Sequence, residues 1–101
     1  MQNFSSYETF IVADYILNSS NYMRIIEMLI DEQLRNGALF DEAVENLANS
    51  LSGVISYDVN ESILESNSLT KLLINTLLDK INYKEIAYAL ISDYLSHNIN
   101  N

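Results

Sequence analysis

The chain has 101 residues, enough for one domain with its own core. Apolar residues make up 49% of it, which excludes a disordered chain, and there is no cysteine, which excludes disulfides, a thiolate nucleophile and cysteine-bound zinc. The net charge of −9 argues against direct binding of nucleic acid or of an anionic membrane, because both require clustered lysine and arginine.

The sequence carries no sign of export or membrane insertion. No apolar run approaches the roughly 20 residues that span a bilayer. The opening residues Met1-Gln2-Asn3-Phe4 lack the basic region that begins a signal peptide. We therefore expect a cytoplasmic protein.

The first candidate helix lies near the N-terminus. Residues 9–17 are rich in strand-forming side chains, but Ser5 and Glu8 have the spacing of a capping box. No second strand is evident, and a lone strand would leave its backbone groups unpaired. The segment is therefore predicted to be helical, with a strand as the alternative.

Two helices follow in the middle of the chain. Ser19 or Ser20 can cap the first, and Gly37 suits the position just past its end. The second begins near Phe40, and Gly53 is predicted to stop it.

The second half of the chain opens with a capping-box spacing from Asp58 to Glu61, which predicts a short helix or turn over 59–66. Ser68 then opens a helix over 69–81 that is apolar on more than one face, so we predict it to be the central, most buried element. A capping-box spacing at Asn82 and Glu85 opens the last helix.

These elements predict an all-α fold, a compact bundle of about five short helices in one domain over 1–101. The whole net charge arises in residues 1–65, whereas acids and bases balance over residues 66–101. We therefore distinguish an acidic half (1–65), apolar scaffold helices (66–96) and a tail expected to fray (97–101).

No catalytic or metal-binding pattern is apparent. His97 is the only histidine and lies in the expected tail. A calcium-loop spacing that begins at Asp58 fails, because Ile63 stands where the loop requires glycine and Leu69 where it requires glutamate. The sequence predicts a protein that is not an enzyme and has no metal or cofactor.

The acidic half contains the candidate binding residues. Acidic side chains often form only a solvated face. The alternative is a surface that presents carboxylates to the lysines and arginines of a nucleic-acid-binding partner. The residues predicted to form this surface are Glu27, Asp31, Glu32, Asp41, Glu42, Glu45, Glu61 and Glu65.

Two short stretches resemble a family of small proteins from phages and mobile elements. Tyr7-Glu8-Thr9-Phe10-Ile11-Val12 resembles its N-terminal W-E-T-x-x-V pattern, and Asn82-Tyr83-Lys84-Glu85-Ile86-Ala87 resembles its C-terminal N-W-x-E-I-A pattern. Tyr7 and Tyr83 stand where tryptophan is usual. The resemblance implies a phage or mobile-element origin, and small acidic proteins of that origin often block host defence, as anti-CRISPR and antirestriction proteins do.

Two functions follow as hypotheses. In the first, the protein is a non-enzymatic inhibitor. Its acidic surface binds a host defence protein, such as a CRISPR effector or restriction nuclease, at a basic nucleic-acid-binding surface. In the second, it is a structural or homodimeric helical module, and the helix at 69–81 buries one face against a partner.

Overall fold

The computed structural model describes residues 4–99 and consists, over that range, of five helices joined by short turns. They are α1 (Tyr7–Leu17), α2 (Ser20–Arg35), α3 (Phe40–Ser62), α4 (Ser68–Leu78) and α5 (Tyr83–Ile99). The predicted all-α fold of about five helices is confirmed, and the 9–17 segment is helical rather than extended.

Local side-chain chemistry sets most helix ends. The hydroxyls of Ser6 and Ser19 accept from backbone N–H groups in the first turns of α1 and α2. Asn82 does the same for Glu85 at the start of α5, at 3.1 Å. Gly37 follows α2 with a φ of 81°, a conformation that glycine adopts at little cost.

The predicted stop at Gly53 is wrong. Helix α3 continues through it to Ser62, so residues 59–62 belong to α3, and only residues 63–66 of the short helix or turn predicted over 59–66 form a separate turn. Asp58 lies inside α3, where its carboxylate accepts a hydrogen bond from the Tyr22 hydroxyl. It therefore does not cap the start of a helix. Glycine lowers helix stability by only about 1 kcal/mol relative to alanine, a cost that the packing of a 23-residue helix can offset.

Helices α2, α3 and α5 form the centre of the bundle. The turn at 36–39 returns the chain so that α3 runs antiparallel to α2, with Asn46 donating to Gln33 at 2.9 Å near the turn. Helix α5 runs antiparallel to α3, because Lys84 lies opposite Glu45 and Tyr88 stacks edge-on against Phe40. Helix α1 packs against both α2 and α5.

The core is drawn from α1, α2, α3 and α5. Its buried apolar side chains are Ala13, Ile16, Ile26, Ile30, Ala43, Leu47, Ala48, Leu51, Ile55, Ile86, Ala87, Leu90 and Ile91. Helix α4 contributes none and is not among the closely packed helix pairs. The prediction that 69–81 forms the central, most buried element is therefore wrong.

The last described turn of the chain belongs to α5. Of the tail that was expected to fray, residues 97–99 are helical, and residues 100 and 101 lie outside the described residues.

Candidate interaction surfaces

The outward side of α4 is apolar and exposed to solvent. Its side chains are Leu69, Leu72, Leu73 and Leu77, with exposed fractions of 64%, 63%, 56% and 46%. Spacings of three and four residues place them on one side of a helix. We call them the α4 leucine face. On the opposite side, Ile74 and Leu78 are half-buried, so α4 is apolar on two sides and packs against the rest of the chain with only one.

Local sequence gives α4 a defined start but little further support. The Asn67 side chain accepts a hydrogen bond from the Thr70 N–H at 2.8 Å, and the Thr76 hydroxyl donates one to the Leu72 carbonyl at 2.8 Å. An 11-residue helix is marginal in water unless it buries an amphipathic face. Covering the α4 leucine face would therefore stabilise both the helix and a complex.

The electrostatic setting of α4 differs from that of the other helices. Between Ser68 and Leu78 there is no acidic residue, and Lys71 is the only charge. By contrast, the exposed aromatic side of α1, formed by Tyr7 and Tyr15, lies among the carboxylates Glu8 and Asp14. Because the chain carries −9 overall, α4 is its least acidic apolar surface.

Most of the predicted acidic site lies on the α2–α3 hairpin. Its members there are Asp31, Glu32, Asp41, Glu42 and Glu45, with Glu27 one turn further along α2. We call these six residues the hairpin acidic group. The short turn places the end of α2 beside the start of α3, but Asp31 and Glu45 contact α5 at Tyr94 and Lys84, which lie ten residues or about 15 Å apart along that helix.

Several members of the hairpin acidic group already have partners within the chain. Asp31 pairs with Arg35 at 2.6 Å and accepts from the Tyr94 hydroxyl at 3.2 Å. Burial and the Asp31 carboxylate together raise the pKa of Tyr94. Glu45 pairs with Lys84 at 2.8 Å. These bonds neutralise part of the charge that a basic partner would meet.

Glu42 has a structural task within the same group. Its Oε1 accepts from the Leu39 N–H at 3.0 Å and so caps α3. Glu32 and Asp41 are exposed, and their carboxylates form no ion pair within the described residues.

Glu61 and Glu65 do not join the hairpin acidic group. Glu61 lies in the last turn of α3 and Glu65 in the turn that follows. The 20 residues of continuous helix between Asp41 and Glu61 correspond to about 30 Å. The eight predicted residues therefore form two separate surfaces.

The two stretches that carry the family resemblance meet in one hydrogen-bonded junction between α1 and α5. The Ser5 hydroxyl donates to Glu85 at 2.6 Å, and the Ser6 hydroxyl donates to the Lys80 carbonyl at 3.1 Å. Thr9 is fully buried, and its hydroxyl oxygen accepts from the Asn82 N–H at 2.9 Å. Of these residues Thr9, Asn82 and Glu85 belong to the two stretches, and their hydrogen bonds join the ends of two helices.

His97 is exposed and lies 3.5 Å from Asp93 on the same helix, and no serine or threonine lines the groove beside it. The groove of about 400 Å³ between α3 and α5 contains Lys84 and Glu85, whose charged ends already contact Glu45 and Ser5.

The described residues also contain no cluster of three or more histidine, aspartate or glutamate side chains suited to a metal ion. None of their helices combines the length and apolarity that crossing a membrane requires.

Comparisons with protein-family models, with curated proteins and with solved structures found no match to this chain. The resemblance to phage and mobile-element proteins therefore stays a prediction.

The sequence predicts the α4 leucines in the core, whereas four of them are exposed on one side of the helix. The available signal was the apolarity of α4 on two sides. Only one of these two sides packs against the rest of the chain.

Proposed function

We propose that this protein is a non-enzymatic helical interaction module and that the α4 leucine face is its binding surface. The observation that supports this most directly is the exposure of four leucines on one side of a helix that contributes no residue to the core. Contiguous apolar surface of this kind is typical of protein–protein interfaces.

The energy available from this face can be set against the cost of association. Burying a fully exposed leucine contributes about 1.5–3 kcal/mol, so covering the exposed parts of these four contributes roughly 3–7 kcal/mol. Association costs about 4–15 kcal/mol in lost translational and rotational freedom. The partner must therefore supply a comparable apolar face of its own, as a second amphipathic helix would.

The test is capture on the tagged chain from a bacterial lysate, together with a differently tagged second copy of the chain as a defined candidate partner. Leu72→Asp places a charge within the face without opening the core. Met28→Asp is the matched control, because Met28 is 66% exposed on α2. We expect wild type and Met28→Asp to retain the same partner and Leu72→Asp to lose it. Retention of every partner by Leu72→Asp would refute the proposal.

A second function is favoured by a separate observation, the hairpin acidic group. The six carboxylates of the α2–α3 hairpin could occupy the basic nucleic-acid-binding surface of a host defence protein, such as a CRISPR effector or restriction nuclease. Salt would weaken such binding, because exposed charges are screened.

This second function has its own test. Glu32→Lys combined with Asp41→Lys reverses two exposed charges and leaves the Glu42 cap intact, and Glu61→Lys is the control at the far end of α3. The assay is DNA cleavage by a CRISPR effector or restriction nuclease that the wild-type chain inhibits. We expect the double variant to lose this inhibition and the control to retain it. Equal inhibition by the double variant and by wild type would exclude this surface.

A further inference from the structure

The spacing of the leucines on the α4 leucine face favours a second copy of the same helix as its partner. Leu69, Leu73 and Leu77 are spaced four residues apart, so the row is symmetric about Leu73. A twofold interface requires a surface that is complementary to itself. In an antiparallel pair of α4 helices, Leu73 meets its own copy and Leu69 lies opposite Leu77 of the second molecule.

Charges at the two ends of α4 match the same arrangement. Glu65 precedes the helix and Lys80 follows it, and within the described residues neither forms an ion pair. Lys80 is seven residues after Leu73 and Glu65 is eight residues before it. Glu65 lies in the turn before α4 and Lys80 in the turn after it, so an antiparallel copy places Lys80 of each molecule at the end of the helix pair where Glu65 of the other lies. A parallel copy would place like charges together at both ends.

Net charge selects this face over the others for self-association. Two copies of a chain with a charge of −9 repel each other, and contact through α1 or α2 would bring carboxylates together. Residues 66–101 are neutral as a segment, and α4 contains no acid. Pairing through α4 therefore adds the least electrostatic repulsion.

We propose that the α4 leucine face binds a second copy of this chain, with the two α4 helices antiparallel and Leu73 on the twofold axis. This rests on the proposed function and names its partner. A helix of 11 residues is about 16 Å long, too short to provide by itself the roughly 800 Å² per partner of a standard interface. We therefore expect a reversible dimer with a micromolar dissociation constant.

Sedimentation equilibrium of the whole chain from about 1 μM to about 1 mM, a range that brackets micromolar affinity, measures the dimer directly. We expect wild type and Met28→Asp to dimerise equally and Leu73→Asp to bind itself at least about tenfold more weakly, which corresponds to 1.4 kcal/mol. Because Leu73 is exposed, circular dichroism should show the variant folded. A monomeric wild type, or a Leu73→Asp variant that dimerises like wild type, overturns the proposal.

Orientation is tested by single cysteines, since the chain has none. With diamide as the oxidant, antiparallel pairing predicts that Leu73→Cys cross-links with itself. A mixture of Leu69→Cys and Leu77→Cys should cross-link more than either variant alone. Efficient self-cross-linking of both Leu69→Cys and Leu77→Cys would show parallel helices and overturn the antiparallel arrangement.

The charge pair gives a further test of register. Lys80→Glu should weaken the dimer, and combining it with Glu65→Lys should restore it. Failure of the double variant to restore the dimer would overturn the proposed register.

The two proposals fail differently. If wild type remains monomeric while Leu72→Asp still abolishes capture of another protein, self-pairing is refuted and the proposed function stands. If neither self-association nor capture depends on α4, both are refuted.

Discussion

Alanine at the chain's two glycines should change stability in opposite directions. Gly53 lies inside α3, and a Cβ built there meets nothing within 4 Å. Alanine in a helix interior is favoured over glycine by about 0.8–1.0 kcal/mol, so Gly53→Ala should stabilise the fold by about that amount. Gly37 is equally open but has a φ of 81°, where a side chain costs about 1–2 kcal/mol, so Gly37→Ala should destabilise it.

Both shifts are large enough to measure by urea unfolding followed by circular dichroism. With a slope of about 1–3 kcal/mol per molar urea, 1 kcal/mol moves the midpoint by roughly 0.3–1 M. The corresponding change in melting temperature for a domain of this size is about 4–8 °C. The substitutions are best compared in the Leu73→Asp background and at one protein concentration, because self-association would add a concentration-dependent contribution.

The sign of the Gly53→Ala effect distinguishes two structures. If α3 ended at Gly53, as the sequence suggests, this glycine would adopt a positive φ and alanine would destabilise the protein. A loss of more than about 0.5 kcal/mol on Gly53→Ala, above the usual scatter of surface substitutions, would refute a continuous α3.

Three further predictions concern the core, the α1–α5 junction and one tyrosine. Ile91→Ala should cost about 2–5 kcal/mol in urea unfolding, whereas Leu72→Ala in the monomer should change stability by less than about 0.5 kcal/mol; equal losses would place α4 in the core. Thr9→Val keeps the shape but removes a buried acceptor, so it should cost about 1–3 kcal/mol, and Thr9→Ser, the control, should cost less. Burial, followed by the hydrogen bond to Asp58, raises the pKa of Tyr22 to about 12. Because the folded state holds this proton more tightly than the unfolded state, the stabilisation is complete below about pH 10 and disappears as the pH rises toward 12. Ultraviolet titration of Tyr22→Phe against wild type identifies this group, and Asp58→Asn should lower its pKa; an unchanged pKa would argue against the bond.

The candidate site was predictable in part. The carboxylates of α2 and early α3 could be grouped from sequence, because a short turn between two helices brings their ends together. The separation of Glu61 from them could not, because it depends on whether α3 continues past Gly53. The partners that α5 provides for Asp31 and Glu45 could not be predicted either, since Tyr94 and Lys84 lie on a helix distant in sequence.

The sequence by itself determined the helical class, the uneven distribution of charge and most of the helix starts, because caps, periodicity and charge act over a few residues. Ser19, Gly37 and Asn82 act at helix ends as their local chemistry requires. The tertiary structure decided two things. Packing along α3 outweighs the local cost of Gly53. The core is completed by α1, α2, α3 and α5, which leaves the leucines of α4 exposed. Apolar periodicity identifies which helix faces are apolar. Only the tertiary structure shows whether such a face packs against the core of the same chain.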